Sequence, residues 1–292
     1  MGEILDNESG KKYTLEYDLA GRLTDVVGSD GTRVKMHYDA AGNMENLSLS
    51  KNGTLLSGAM YSFQEDTHLI DQILLVSMGG GTVDYDYTSL NRPSGKTHTI
   101  DPNQPNTKVR TSYEYLTSGT NQTALVGSMT NEKLDGDTVE SSYATYTYTY
   151  DANGNITTIS ENGVLKATYT YDGLYQLIRE GNAWLGKSVT YTYDRGGNIL
   201  TKSEYAYTTG TLGAVQGVYA YDYENANWKD LLTAYDGKAI TYDEIGNPLT
   251  YDGRAFTWQK GGSLRESAAA GLTLCSSTTR RACAQRKLPA KP

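Results

Sequence analysis

A Tyr-Asp pair, with Gly three positions after the Asp, returns along this chain at nearly constant intervals. That return limits the fold more than any other feature. It occurs at Tyr17-Asp18 with Gly21, Tyr38-Asp39 with Gly42, Tyr150-Asp151 with Gly154, Tyr193-Asp194 with Gly197 and Tyr242-Asp243 with Gly246. Weaker copies begin at Tyr87, at Tyr171-Asp172 and at Tyr221-Asp222. Tyr17 to Tyr38 and Tyr150 to Tyr171 are both about 21 residues, the length of one supersecondary unit in a repeat array.

Midway between these pairs lies a second signal. Asp30-Gly31, Asn52-Gly53, Asn162-Gly163, Asp236-Gly237 and Asp252-Gly253 each separate short apolar–polar alternations. Asn-Gly and Asp-Gly supply the positive φ angles of two-residue hairpin turns. Each unit therefore reads as turn, strand, hairpin turn, strand, with strands of roughly 5–7 residues. Joined in series, the units make an antiparallel meander. In 145–151 the period of two puts Tyr146, Tyr148 and Tyr150 on one face and Thr145, Thr147, Thr149 and Asp151 on the other. The chain has 25 Tyr but only 2 Phe. A face of tyrosines is one where the ring packs and the hydroxyl finds water or a partner.

The repeat is clear over residues 1–78 and 143–264. Residues 79–142 read as divergent units with longer loops, around Pro93, Asp101-Pro102 and Pro105. "HLIDQILLVSM", 68–78, is a buried strand or one helical turn, which periodicity does not separate.

Residues 265–292 break the pattern. They hold six basic residues and one acidic; the other 264 hold 20 and 33, so the net charge of −8 divides into +5 and −13. This tail contains both cysteines, Cys275 and Cys283, and is expected to be disordered. Back-translated with synonymous codons, "CSSTTRRACAQRK" reads in a neighbouring frame as "FKYNETGVRTAK", which has the Tyr-Asn-x-x-Gly form of a further unit. The expectation is that residues from about 267 are translated out of frame.

Candidate chemistry is sparse. An aspartate that recurs in every unit is expected to form the turn, its carboxylate accepting backbone N–H groups, rather than to catalyse. "DANGN", 151–155, begins like a calcium loop but lacks the later Gly and Glu. "SGKT", 94–97, has Leu90 where a phosphate loop needs Gly. His37, His68 and His98 are scattered. No catalytic, cofactor or metal residue is assigned. The acidic balance argues against nucleic-acid partners, no apolar run has membrane-spanning length, and no signal peptide is evident at the N-terminus.

The Tyr-Asp-x-x-Gly repeat resembles the YD repeat of bacterial Rhs and wall-associated proteins over roughly residues 13–264. "ITYDEIGNPLTYDGRAFTWQKGGSL", 240–264, is similar to the final part of such arrays. The resemblance implies an all-β fold: a curled antiparallel sheet of YD repeats forming part of an Rhs-type shell. It implies a non-catalytic section of a larger secreted or cell-surface bacterial protein, whose partners are the rest of the shell and a C-terminal cargo such as a toxin. Some members of the family bind carbohydrate, so a second expectation is a cell-surface carbohydrate module contacting glycan through Tyr150 and Trp184. A third is a truncated remnant without independent function. The chain departs from the family in its shortness, in lacking the later paired Asp-Pro motif, and in carrying no toxin domain.

Overall fold

The computed structural model describes residues 2–7, 10–76, 80–101, 103–259, 262–269 and 272–275. Among them there are strands and turns and no helix. The chain divides into two units, Met1–Tyr150 with Ile159–Val164, and Asp151–Thr158 with Leu165–Pro292.

The first unit runs β1 (Gly2–Asp6), β2 (Lys11–Tyr17), β3 (Leu23–Gly28), β4 (Thr32–Tyr38), β5 (Met44–Lys51), β6 (Thr54–Phe63), β7 (Ile70–Val76), β8 (Thr82–Tyr87), β9 (Pro93–Thr99), β10 (Thr107–Ser118), β11 (Asn121–Asp135) and β12 (Thr138–Tyr150). Each of these strands pairs antiparallel with the next. Within the 68–78 run, Ile70–Val76 is strand β7, and 77 and 78 lie outside the described residues. The section read as long-looped holds the longest strands: β10, β11 and β12 have 12, 15 and 13 residues. Antiparallel pairing runs on across the 78/79 and 142/143 bounds, from β7 to β8 and from β11 to β12. Register shifts at Glu114/Tyr115, Asn131/Glu132 and Lys133/Leu134 interrupt the alternation there, which hid the strands.

After β13 (Ile156–Glu161) come β14 (Val164–Tyr171), β15 (Leu177–Asn182), β16 (Lys187–Tyr193), β17 (Ile199–Ala206), β18 (Val215–Asp222), β19 (Ala234–Tyr235) and β20 (Lys238–Ala239). In the second unit β14 to β20 pair in series, antiparallel. A smaller sheet follows: β21 (Thr241–Tyr242), β22 (Pro248–Tyr251), β23 (Arg254–Gln259), β24 (Ser263–Ala269) and β25 (Leu272–Cys275), again in series. The expected disorder of the tail is corrected over these last strands. Ladder bonds are made by the backbone, so Ser263–Ala269 can pair with β23 although its side chains lack the repeat pattern. The rest of the tail, with Cys283, lies outside the described residues.

Alternation sets the faces. In β4, Val34, Met36 and Tyr38 are half-buried while Arg33, Lys35 and His37 are exposed. Across strands, Leu15, Val26, Val34 and Leu49 form one apolar ladder. On the opposite face Gln72, Asp84, Thr97, Arg110 and Glu132 form a polar one. Among the described residues the buried apolar side chains are few, namely Val83, Leu134, Ala167 and Val189. Stability here rests on cross-strand pairs, each worth about 0.2–1 kcal/mol, more than on a dry centre.

Candidate functional site

The recurring aspartate is tied to its own turn. Asp151 Oδ1 accepts the backbone N–H groups of Asn153 and Asn155, each at 2.9 Å, and Oδ2 accepts Asn155 Nδ2 at 2.9 Å. Two backbone bonds close the loop: Asp151 N–H to Asn155 O and Gly154 N–H to Asp151 O. Gly154 has φ +86°, which explains why the turn selects Gly. Asp39, Asp194 and Asp243 repeat this with Asn43, Asn198 and Asn247. Asp18 uses the backbone and Nε of Arg22, and Asp172 the N–H groups of Leu174 and Gln176. Even Thr88, in the copy at Tyr87, accepts from Leu90 and Arg92 through Oγ1. Gly21, Gly42, Gly197 and Gly246 carry the positive φ of their turns.

These bonds favour the ionised acid. The side-chain amide of Asn155 lowers the Asp151 pKa, and the equivalent Asn does so for Asp39, Asp194 and Asp243. For Asp18 the backbone N–H of Arg22 is the main cause, followed by its side chain. A general acid needs the opposite shift. Each carboxylate is a cap inside its own loop.

The tyrosine links one unit to the one before. Tyr38 OH donates to Leu23 O at 2.9 Å, and Leu23 is the residue paired with Tyr17. Tyr193 OH donates to Leu177 O at 2.7 Å, and Leu177 is paired with Tyr171. Tyr115 OH reaches Pro93 O, opposite Tyr87. Tyr87, Tyr150, Tyr171 and Tyr242 donate to the carbonyls of Ile70, Val126, Ile156 and Leu232. A register shift accompanies the aromatic at Tyr17, Tyr38, Phe63, Tyr87, Tyr171, Tyr193, Tyr242 and Trp258. Tyr17 ends β2 and is exposed.

This rule uncovers units that the Tyr-Asp pattern missed. Phe63 pairs with Ile70, in the geometry of Tyr17 with Leu23, and His68 takes the positive φ, +56°. Trp258 stands in for tyrosine, Nε1 donating to Pro248 O at 2.6 Å, opposite Tyr242. The copy placed at Tyr221-Asp222 is corrected: those residues lie inside the ladder, opposite Tyr235 and Ala234. Tyr223 follows outside the ladder, ahead of Leu232, whose carbonyl accepts the Tyr242 hydroxyl. Burial and then the preceding turn's Asp194 raise the Tyr223 pKa, as burial and Asp172 do for Tyr193.

In the copy at Tyr171, Tyr175 occupies the glycine position with φ +62°. A left-handed conformation costs a non-glycine residue about 1–2 kcal/mol, partly offset by glycine's larger unfolded-state entropy. Tyr175→Gly should therefore stabilise the second unit by about 0.5–1 kcal/mol in chemical denaturation; an equal loss would show that the exposed ring contributes more than the strain.

The residues expected to contact glycan, Tyr150 and Trp184, are each placed within their own unit. The Tyr150 hydroxyl is committed to Val126 O. Trp184, 45% exposed, is in the turn between β15 and β16 and belongs to the other unit.

Residues 17–53 match the family model described as RHS Repeat. The chain carries an RHS repeat. Among solved structures, TcdB2-TccC3-Cdc42 is similar at 16% identity, over 88% of this chain and 17% of that one, with a TM-score of 0.51. TcdB2-TccC3 without its hypervariable C-terminal region gives 16% identity, the same coverages and the same score. The Photorhabdus luminescens Tc holotoxin pore is similar at 14% identity over 88% of this chain and 18% of that one, but its TM-score of 0.42 adds no weight. The first two show that this chain shares the fold of a section of those structures, and the chain spans about a sixth of their length. No curated protein matches it.

Proposed function

We propose that this chain is a structural, non-catalytic section of a larger Rhs-type shell, secreted or displayed by a bacterium, whose curled sheet encloses or displays a C-terminal polypeptide such as a toxin. The observation that carries this is the chaining of units: Tyr38, Tyr115, Tyr193 and Trp258 each donate to the carbonyl opposite the preceding aromatic, as Tyr193 does to Leu177 O opposite Tyr171. Such a device extends a sheet one repeat at a time. The likeness of fold to TcdB2-TccC3 structures supports the same reading. The test is limited proteolysis of the longer coding product that contains this section. Sites in its C-terminal polypeptide should resist cleavage until the sheet is denatured; cleavage as fast as in the free polypeptide would overturn the proposal.

A second reading, a truncated remnant, is favoured by one observation. The aromatic positions run from Tyr242 to Trp258, and a further 20 or so residues, one repeat length, brings the next to about position 278. In the neighbouring frame the Tyr of "FKYNETGVRTAK" is encoded across the codons for Ser277 and Thr278. Sequencing the coding DNA decides it: an inserted or deleted base near codon 267, followed by open YD repeats in the other frame, is the expected result. A stop there, or no repeat, excludes it.

A further inference from the structure

The two Asn-Gly turns of the first unit have the same sequence signal and the same backbone, yet their carboxamides are held differently. Asn52-Gly53 has φ +49° and +81°; Asn162-Gly163 has φ +50° and +77°. Both pairs are exposed, and neither glycine has atoms within 4 Å of where a Cβ would sit. In both, the Asn backbone N–H donates at 2.8 Å to a neighbouring carbonyl, Gly31 O for Asn52 and Thr145 O for Asn162. The side chains then part. Asn162 Oδ1 accepts the N–H of Thr145 at 2.8 Å, so its carboxamide is pinned to β12. Asn52 faces Gly31, whose N–H is already committed to Gly28 O within its own hairpin turn. Asn52 Oδ1 rests against Gly31, only 1.9 Å from where a Cβ would be, with no hydrogen-bond donor for it among the described residues.

We infer that Asn52 is a modification site, converting spontaneously to aspartate and isoaspartate, and that Asn162 is protected from the same reaction by Thr145. The Gly53 nitrogen attacks Asn52 Cγ and forms a C–N bond. The carboxamide C–N bond breaks, the Gly53 amide proton leaves with the departing nitrogen as ammonia, and a succinimide remains. Water then adds to one of the two ring carbonyls and opens it. No oxidant, reductant or cofactor is needed. At Asn162 the carboxamide must first give up the Thr145 bond before Cγ can turn toward Gly163. The consequence at Asn52 falls on the β5–β6 hairpin. Isoaspartate adds a methylene to a two-residue turn whose flanks, Lys51 and Thr54, are paired, and it introduces a negative charge.

Peptide mapping by mass spectrometry tests this on the intact chain, held folded in mildly alkaline buffer at physiological temperature and in parallel unfolded in guanidinium. In the folded chain isoaspartate should accumulate at position 52 about tenfold faster than at 162, the factor one retained hydrogen bond is worth. In the unfolded chain the two rates should converge. Equal rates in the folded chain, faster reaction at Asn162, no reaction at either, or a tenfold difference that survives unfolding would each overturn the inference.

Discussion

Replacing Tyr193 with Ala is expected to destabilise the second unit by about 3 kcal/mol, and replacing it with Phe by about 1 kcal/mol. The larger change removes a ring packed on one face of the sheet together with the hydroxyl that holds Leu177 O. The smaller removes only the hydroxyl and leaves Leu177 O short of a donor at the register shift between Thr170 and Tyr171. Tyr171, bonded to Ile156 O in the same unit, should behave alike. Tyr175, exposed and with its hydroxyl only 3.5 Å from Asn153 Oδ1 rather than on a strand carbonyl, should not. Chemical denaturation of the three pairs of variants checks the ordering; a Tyr193→Phe variant as stable as the parent would remove the hydroxyl from the account of register.

Stability should be highest between about pH 4 and pH 10 and fall at both ends. At the acid end, Asp18, Asp39, Asp151, Asp194 and Asp243 have folded pKa values below the ordinary 3.8, because each holds N–H groups of its own turn. A depressed folded pKa contributes stability above the unfolded value, and that contribution is lost as pH falls through the folded one. Since all five act in the same direction, acid should open turns throughout the array together. At the alkaline end the sign reverses. Burial raises Tyr150, Tyr171, Tyr193 and Tyr242 above the ordinary 10.0. Their neutral forms are favoured by folding, so stability present below pH 10 declines as the unfolded state ionises. Thermal melts across this range check both limbs; a flat profile down to pH 2 would contradict the acid limb.

Much of this was legible in the sequence because the turn needs particular residues at fixed offsets. An Asp that caps +2 and +4 N–H groups, and a Gly with positive φ, leave a spacing that can be read, as at Asp151 and Gly154. What the spacing concealed is that the link between units requires only an aromatic ring of the right size, with a polar hydrogen where it bonds. Trp258 satisfies this with an indole N–H, and Phe63 keeps the position without any donor. Tyr221-Asp222 has the form of a unit but is ladder, paired with Tyr235 and Ala234. The units over 79–142 read as divergent because bulges in β10 to β12 shift the alternation by one residue and transpose the faces. Tyr150 and Trp184 were chosen for their ring chemistry alone, which carries no information about whether residues distant in sequence meet.

The central claim is that the Tyr-Asp pair is architecture, a cap and a link, and not a reactive acid. Site-resolved carboxylate titration by NMR tests it most directly. Asp18, Asp39, Asp151, Asp194 and Asp243 should titrate as a group, all below the ordinary 3.8. One of them titrating apart from the rest, with a pKa raised above that value, would mark a carboxyl kept protonated for chemistry and would contradict the claim.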